Sequence, residues 1–268
     1  MKNYGKKFGF STEVMKQWQS EPLFLEGKND VLIILVHGWT LNSQQMLPIA
    51  KVLNQKGYSV SLPLLSGHGG RPEDLNGVKW SDWEEDIVRE VQKRKQEKKY
   101  NKIFIGGTSM GGNACLLAAL QERVAGIILL GTPVHFKNHF FFKIGGLLLP
   151  LFKKYAKKRR PQGIKFKAEN SYQYFPTTNV NQVLLLIRRS VFSLKRIKVP
   201  ILILQASNDF FIAKYSPWII YKNVSSKIKK MRWIYTDSEN HVPQGEEALQ
   251  SAKEIDRFVK EVIEVGRR

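Results

Sequence analysis

The chain has 268 residues, of which 43% are apolar, as is typical of a soluble globular protein with one large or two small domains. A single cysteine, Cys115, excludes an intrachain disulfide, and no apolar run reaches the roughly 18 residues that span a bilayer. The formal net charge is +20, from 43 Lys and Arg against 23 Asp and Glu, and it favours contact with anionic partners such as nucleic acid or acidic lipid.

Apolar, β-branched runs alternate with helical patterns along the chain. The predicted strands lie at 31–38, 58–65, 102–107, 124–133, 200–207 and 230–236, the last of them at an edge of the sheet. The predicted helices lie between them and at the end, at 43–57, 81–98, 110–122 and 245–265. Ser81 is the predicted N-cap of the second helix, and Leu249 belongs to the predicted apolar face of the last one. The predicted fold class is therefore α/β, with a mostly parallel sheet covered by helices on both faces.

One segment interrupts this alternation. Residues 134–198 contain 15 Lys and Arg, and Glu169 is their only acid, so this quarter of the chain carries +14 of the net charge. We interpret 134–198 as an inserted basic cap, or lid, on a core formed by 1–133 and 199–268.

A serine surrounded by glycines follows the third predicted strand. Gly107-Thr108-Ser109-Met110-Gly111 fits the pattern G-x-S-x-G, between a strand and a helix. A sharp turn of this kind holds the serine in a strained conformation and presents its hydroxyl above the sheet edge. Side chains at both glycine positions would collide with backbone. The pattern predicts that Ser109 is a nucleophile.

A serine nucleophile needs a histidine base and an acid that orients the histidine, in the chain order Ser, acid, His. Of the five histidines, His241 lies between the last strand and the last helix, and we predict that it is the base. The predicted acid is Asp209, at the carboxyl end of the strand at 200–207. Asp237 and Glu239 remain alternative candidates for this acid because they precede His241 in the same loop.

An oxyanion hole requires two backbone N–H groups that face the developing negative charge. We expect one from Met110, directly after the nucleophile at a helix N-terminus, and one from Trp39, in the loop after the first strand, with His37-Gly38 shaping the turn. No metal is expected, because no residue has metal-ligand spacing to His37. The "SGHGG" stretch at 66–70 lacks the remainder of a phosphate-binding pattern and is interpreted as a plain loop.

These stretches together resemble the α/β-hydrolase superfamily and, within it, the bacterial carboxylesterase and monoacylglycerol lipase group. The resemblance rests on "LVHGWTLNS", "LPLLSGHGGRPEDL", "WSDWEEDI", "IGGTSMGG", "LQASND" and "NHVPQ", and it covers 30–133 and 199–265. It implies hydrolysis of medium- or long-chain acyl esters, such as a monoacylglycerol or lysophospholipid, through an acyl-enzyme on Ser109 and without metal or cofactor. The segment 134–198 departs from the family pattern.

The sequence is also compatible with other functions. The same triad serves an acyltransferase or a peptidase, and a catalytically silent membrane- or partner-binding module would keep the scaffold. Apolar residues at 140–152 beside basic residues at 153–167 predict either peripheral contact with an anionic membrane or an ordinary cap helix with solvated lysines. No nucleic-acid-binding fold is recognised. The N-terminus lacks the apolar segment of a signal peptide, so we expect a cytoplasmic protein that could associate with the inner membrane surface.

Overall fold

A seven-stranded sheet forms the centre of the molecule. We describe it from a computed structural model, which describes residues 7–9, 11, 15–16, 18–136, 148–158, 171–209, 211–235 and 246–266. The strands are β1 (Leu23–Leu25), β2 (Val31–Val36), β3 (Ser59–Leu62), β4 (Lys102–Thr108), β5 (Gly126–Leu130), β8 (Ile201–Ala206) and β9 (Lys229–Ile234). Their order is β1-β3-β2-β4-β5-β8-β9, and every neighbouring pair is parallel except β1 with β3. The two remaining strands, β6 (Tyr155–Lys157) and β7 (Tyr174–Pro176), pair antiparallel in a separate small sheet.

Helices cover both faces of the sheet. They are α1 (Leu47–Gln55), α2 (Trp80–Gln96), α3 (Met110–Gln121), α4 (Thr178–Ser193), α5 (Ser216–Asn223) and α6 (Glu246–Val265). α1 packs against α6 on one face, and α3 packs between α2 and α4 on the other. Among the described residues, no helix combines the length and the apolar character needed to cross a bilayer.

Strand alternation explains how one sheet supports two cores. Successive side chains of a strand point to opposite faces, so β2 places Leu32 and Ile34 in the core under α2, α3 and α4, and Ile33 and Leu35 in the core under α1 and α6. All four side chains are fully buried, and burial of each contributes about 1.5–3 kcal/mol of transfer free energy. This two-sided burial confirms the predicted α/β class with a mostly parallel sheet.

Each predicted strand and helix is present, and the structure corrects three details. β1 was not predicted and extends the sheet at the edge opposite β9. The N-cap of α2 is Lys79, not Ser81, because the carboxylate of Asp82 accepts a hydrogen bond of 2.9 Å from the Lys79 N–H. Leu249 is 42% exposed, and the buried face of α6 begins instead at Ala248.

The part of 134–198 that the structure describes contains β6, β7 and α4. α4 buries Val183, Leu186 and Ile187 against the core that contains α3. The remaining described residues of the segment include helical residues 148–152 and the small β6–β7 sheet. The boundaries of the cap, 134–198, and of the core, 1–133 and 199–268, stay a prediction.

Candidate active site

Ser109 occupies a strained turn between β4 and α3. Its backbone has φ 52° and ψ −123°, in the left-handed range of φ that residues other than glycine rarely adopt. Three backbone hydrogen bonds hold this turn: the Ser109 N–H donates to the Leu130 carbonyl at 2.9 Å, and the Ser109 carbonyl accepts from the N–H groups of Gly112 at 3.0 Å and Asn113 at 3.4 Å. Strain of this kind persists only where the surrounding structure imposes it, and it is concentrated at functional sites.

The glycines around Ser109 make this turn sterically feasible. A Cβ at Gly107 would lie 2.5 Å from the backbone carbonyl carbon of Gly111. A Cβ at Gly111 would overlap the carbonyl oxygen of His37 and would lie 2.8 Å from that of Val36. The two predicted elbow glycines are therefore required by backbone contacts, because α3 begins directly against the loop that follows β2.

Strand register places Ser109 and Asp209 at the same edge of the sheet. Thr108 of β4 is paired with Leu130 of β5, and Leu130 with Leu204 of β8. Ser109 and Asp209 both follow the carboxyl ends of their strands, with β5 between them, which corresponds to a lateral separation of about 10 Å between β4 and β8. In open parallel sheets this edge is where ligands bind.

The Asp209 carboxylate is buried, with 1% of the residue exposed, and it is held by three hydrogen bonds. Oδ1 accepts from the N–H groups of Phe211 and Ile212 at 2.8 and 2.9 Å, and Oδ2 accepts from Gln205 Nε2 at 2.8 Å. These donors fix the orientation of the carboxylate. A carboxylate oriented in this way can accept a further hydrogen bond from a base, because each oxygen has two lone-pair positions.

The predicted base, His241, lies outside the described residues, as do the rival acids Asp237 and Glu239. The structure describes the flanking elements: β9 ends at Ile234, which is paired with Ala206 of β8. The assignment of His241 as the base therefore stays a prediction from chain order.

The loop after β2 passes directly beside the nucleophile. A Cβ built on Gly38 would lie 3.5 Å from the Ser109 Cβ. The Leu41 N–H donates to the Gly38 carbonyl at 3.2 Å, and Thr40 has φ 63°, which is the arrangement of a type II turn. Because the peptide between Gly38 and Trp39 is planar and trans, holding the Gly38 carbonyl also fixes the direction of the Trp39 N–H.

Met110, the other predicted oxyanion-hole donor, is the first residue of α3. The first N–H groups of an α-helix have no acceptor within the helix, so the Met110 N–H makes no hydrogen bond inside α3. The helix dipole adds to its attraction for an anionic oxygen. Met110 thus offers a backbone donor next to Ser109 in sequence, and Trp39 follows Gly38, which lies beside Ser109 in space. Their joint role in an oxyanion hole stays a proposal.

Two buried, neutral histidines brace the turn at Trp39. His37 Nε2 accepts from the Leu65 N–H at 3.1 Å, so its proton lies on Nδ1, which donates to the Gly38 carbonyl at 2.9 Å. His68 Nε2 accepts from the Thr40 N–H at 3.0 Å. Loss of hydration on burial lowers the pKa of His37 to about 4 and lowers the pKa of His68 well below its usual value, with His37 adding to the second effect.

Sequence reasoning missed His68 and Gln205. His68 lies in the stretch that was interpreted as a plain loop, yet it accepts a hydrogen bond from Thr40. A buried Gln45 was also missed; its Oε1 accepts from the Gly38 N–H at 2.7 Å. Within the described part of the chain, no group of three or more His, Cys, Asp or Glu side chains could hold a metal ion.

A serine on a strained strand-to-helix turn above a parallel sheet, followed in the chain by a buried carboxylate at the same edge, defines the α/β-hydrolase class. The chain belongs to the hydrolase family whose model is described as serine aminopeptidase, S33, which matches residues 27–237.

Two curated bacterial proteins are similar over most of the chain. A thermostable monoacylglycerol lipase from Bacillus sp. (strain H-257) is 29% identical over 214 residues, which are 79% of this chain and 83% of that protein. A carboxylesterase from Bacillus subtilis (strain 168) is 26% identical over 228 residues, which are 85% and 91% of the two chains. These relatives confirm the resemblance to the bacterial carboxylesterase and monoacylglycerol lipase group.

Solved structures agree with this placement. A structure reported for LipS and LipT, two metagenome-derived lipolytic enzymes, has a TM-score of 0.75 at 26% identity and covers 90% of this chain and 97% of that one. A soluble variant of monoglyceride lipase from Saccharomyces cerevisiae has a TM-score of 0.76 at 15% identity, with 90% of each chain covered, and it supports the fold alone.

Proposed function

We propose that the protein hydrolyses carboxylic acyl esters through an acyl-enzyme on Ser109. The observation that carries this proposal is the strained turn of Ser109 between Gly107 and Gly111, which places the serine at the carboxyl edge of the parallel sheet. Ester hydrolysis is also the activity that the names of the monoacylglycerol lipase and carboxylesterase relatives describe.

In the proposed mechanism, Ser109 Oγ attacks the ester carbonyl carbon while His241 takes the hydroxyl proton. The Trp39 and Met110 N–H groups donate to the negative oxygen of the tetrahedral intermediate. His241 returns the proton to the leaving alcohol, which leaves an acyl group on Ser109. Water, deprotonated by His241, then attacks the acyl carbon, and His241 returns the proton to Ser109 Oγ as the bond to the acyl group breaks and the carboxylic acid is released. Asp209 holds His241 in its tautomer and stabilises its charged form.

Medium- or long-chain esters, including a monoacylglycerol or a lysophospholipid, are the proposed substrates. The panel that tests this runs from short p-nitrophenyl esters to 1-monoacylglycerols and lysophospholipids, with Ser109→Ala as the matched control. We expect activity that rises with acyl length and is lost in Ser109→Ala. Activity that is confined to acetyl esters would overturn the substrate class, and cleavage of no ester would overturn the function.

A peptidase is the second candidate, because the matching family is described as serine aminopeptidase. The same triad cleaves amides, so aminoacyl p-nitroanilides are included in the panel. Cleavage of anilides faster than of esters would favour this candidate. Transfer of the acyl group to added alcohols in place of water would instead identify an acyltransferase. A folded protein that converts none of these substrates and does not react with fluorophosphonate would be a catalytically silent binding module.

We also propose that the cap contacts an anionic membrane surface. Helical residues 148–152 expose three large apolar side chains: Leu148 at 44%, Leu151 at 74% and Phe152 at 81%. Lys153 and Lys154 follow directly, and both are exposed. Paired apolar and basic groups are what reversible binding to acidic lipid requires. A cytoplasmic location at the inner membrane surface belongs to this proposal, and it is supported by the single, buried and unpaired Cys115.

A further inference from the structure

Thr40, in the turn beside the nucleophile, is tied to two distant parts of the chain. It is 1% exposed, and all of its polar groups form hydrogen bonds. Its N–H donates to His68 Nε2 at 3.0 Å, and its carbonyl accepts from the Tyr172 N–H at 2.8 Å. Its Oγ1 donates to the Trp39 carbonyl at 2.6 Å and accepts from Lys158 Nζ at 2.9 Å.

Two of these partners belong to the cap. Lys158 follows β6 and also donates to Ser171 Oγ at 2.8 Å, so its ammonium group bridges the cap and the turn. Tyr172 precedes β7, and its hydroxyl donates to the Gly67 carbonyl at 3.2 Å. The Tyr172 ring lies parallel to the His68 ring, with an angle of 4° between the planes and 6.1 Å between the centroids.

The turn needs such support because its backbone is strained. Thr40 is β-branched and has φ 63°, at a turn position where glycine or asparagine is usual. A conformation of this kind is energetically unfavourable and is maintained only by surrounding contacts. Relaxation of Thr40 would rotate the adjoining Trp39 backbone, because the two residues are the central pair of one turn.

We propose that Lys158 and Tyr172 are positioning residues, and that the cap holds the oxyanion-hole turn in its catalytic conformation through Thr40. This inference rests on the proposed ester hydrolysis. It extends that proposal because the cap then contributes to the rate of the chemical step, in addition to covering the substrate. A displacement of about 1 Å at a catalytic group can cost a hundredfold in rate, so a small relaxation of the turn is sufficient for a measurable effect.

Lys158→Met tests the proposal, because it keeps the aliphatic stem and removes the hydrogen bonds from Nζ to Thr40 and Ser171. With a water-soluble p-nitrophenyl ester, we expect kcat to fall about tenfold while KM changes less than about twofold, since removing an oxyanion-hole donor outright costs about 10²–10³. The affinity for a boronic acid, whose tetrahedral adduct places an anionic oxygen in the hole, should fall by a similar factor. Lys158→Arg, which retains a cationic donor, should restore most of the rate.

Thr40→Val separates positioning from a direct effect of the ammonium charge. It removes the Oγ1 acceptor of Lys158 and the Oγ1 donor to the Trp39 carbonyl and leaves Lys158 in place, so we expect a kcat loss at least as large as that of Lys158→Met. The double variant should lose no more than Thr40→Val alone, because the contact between Lys158 and Thr40 is already absent there. Additive losses, or a loss in Lys158→Met with none in Thr40→Val, would overturn the proposal.

Lys253→Met is the matched control, because Lys253 is an exposed lysine of α6. If the wild-type protein is active and Lys158→Met loses no more kcat than this control, Lys158 does not position the turn and the proposal is wrong. If the wild-type protein cleaves no ester, the proposed function fails instead, so the two failures are distinguishable. Thermal unfolding of each variant checks that a loss of rate is not a loss of folded protein.

Discussion

Gln205 Nε2 donates a hydrogen bond of 2.8 Å to Asp209 Oδ2, and both residues are at most 2% exposed. Gln205 lies inside β8, and Asp209 lies in the turn that follows it. The rigid strand therefore controls the rotation of the carboxylate. The backbone donors at Phe211 and Ile212 hold the other oxygen, so the orientation of Asp209 is determined from both sides.

We predict that Gln205→Met lowers kcat about tenfold. The substitution preserves side-chain length but removes the donor to Oδ2, which lets the carboxylate rotate away from the base that we propose it orients. Steady-state kinetics on a soluble ester measure the effect. The control is Gln92→Met on α2, because the Gln92 amide donates to Glu122 at the exposed surface. An equal kcat in the two variants would show that the strand does not position Asp209.

Gly111→Ala should destabilise the fold much more than Gly77→Ala. The new methyl group at Gly111 would overlap the His37 carbonyl oxygen, whereas a Cβ at Gly77 has nothing within 4 Å and meets only the cost of φ 79°. We expect a loss of about 1 kcal/mol at Gly77, from backbone strain, and of about 3 kcal/mol or more at Gly111, from overpacking. Urea denaturation measures both. Similar losses would mean that steric contact at the elbow is unimportant.

The buried histidines should make stability fall as the pH falls below about 6.5. The pKa of His37 is lowered to about 4, so between these values the unfolded chain binds a proton that the folded chain does not. The loss for His37 approaches about 3 kcal/mol by pH 4, and His68 acts in the same direction.

Chemical denaturation between pH 5 and 7 tests this dependence, and His37→Gln with His68→Gln is the comparison variant. Each histidine contributes a slope of about 1 kcal/mol per pH unit in this range. The double variant should therefore show a markedly flatter profile, whatever its absolute stability. A profile as steep as that of the wild type would mean that these two side chains are not buried in the neutral form.

Membrane contact predicts selective binding to anionic vesicles. Lys153 and Lys154 should each contribute about 1 kcal/mol, so replacing both with alanine should weaken binding to phosphatidylglycerol vesicles about 30-fold. The control replaces Lys51 and Lys253, two exposed lysines of α1 and α6, with alanine. Vesicle co-sedimentation measures binding, and equal binding to neutral and anionic vesicles would contradict the proposal.

The core elements and the strained turn at Ser109 could be predicted from the sequence because their signals are local. Five apolar runs correspond to buried strands, and the glycine spacing around Ser109 reflects backbone contacts within a few residues. β1 was missed because it has only three residues, none of them fully buried. The role of His68 was missed for a different reason: its partner, Thr40, lies 28 residues earlier, and no local pattern encodes that contact.

The central claim is that Ser109 is the nucleophile. Its most direct test is reaction of the folded protein with a fluorophosphonate, followed by mass spectrometry of the peptides. We predict one adduct per chain, on Ser109, and a labelling rate that falls by orders of magnitude in His241→Gln. An adduct on another residue, or no adduct on a folded protein, would show that Ser109 is not the nucleophile.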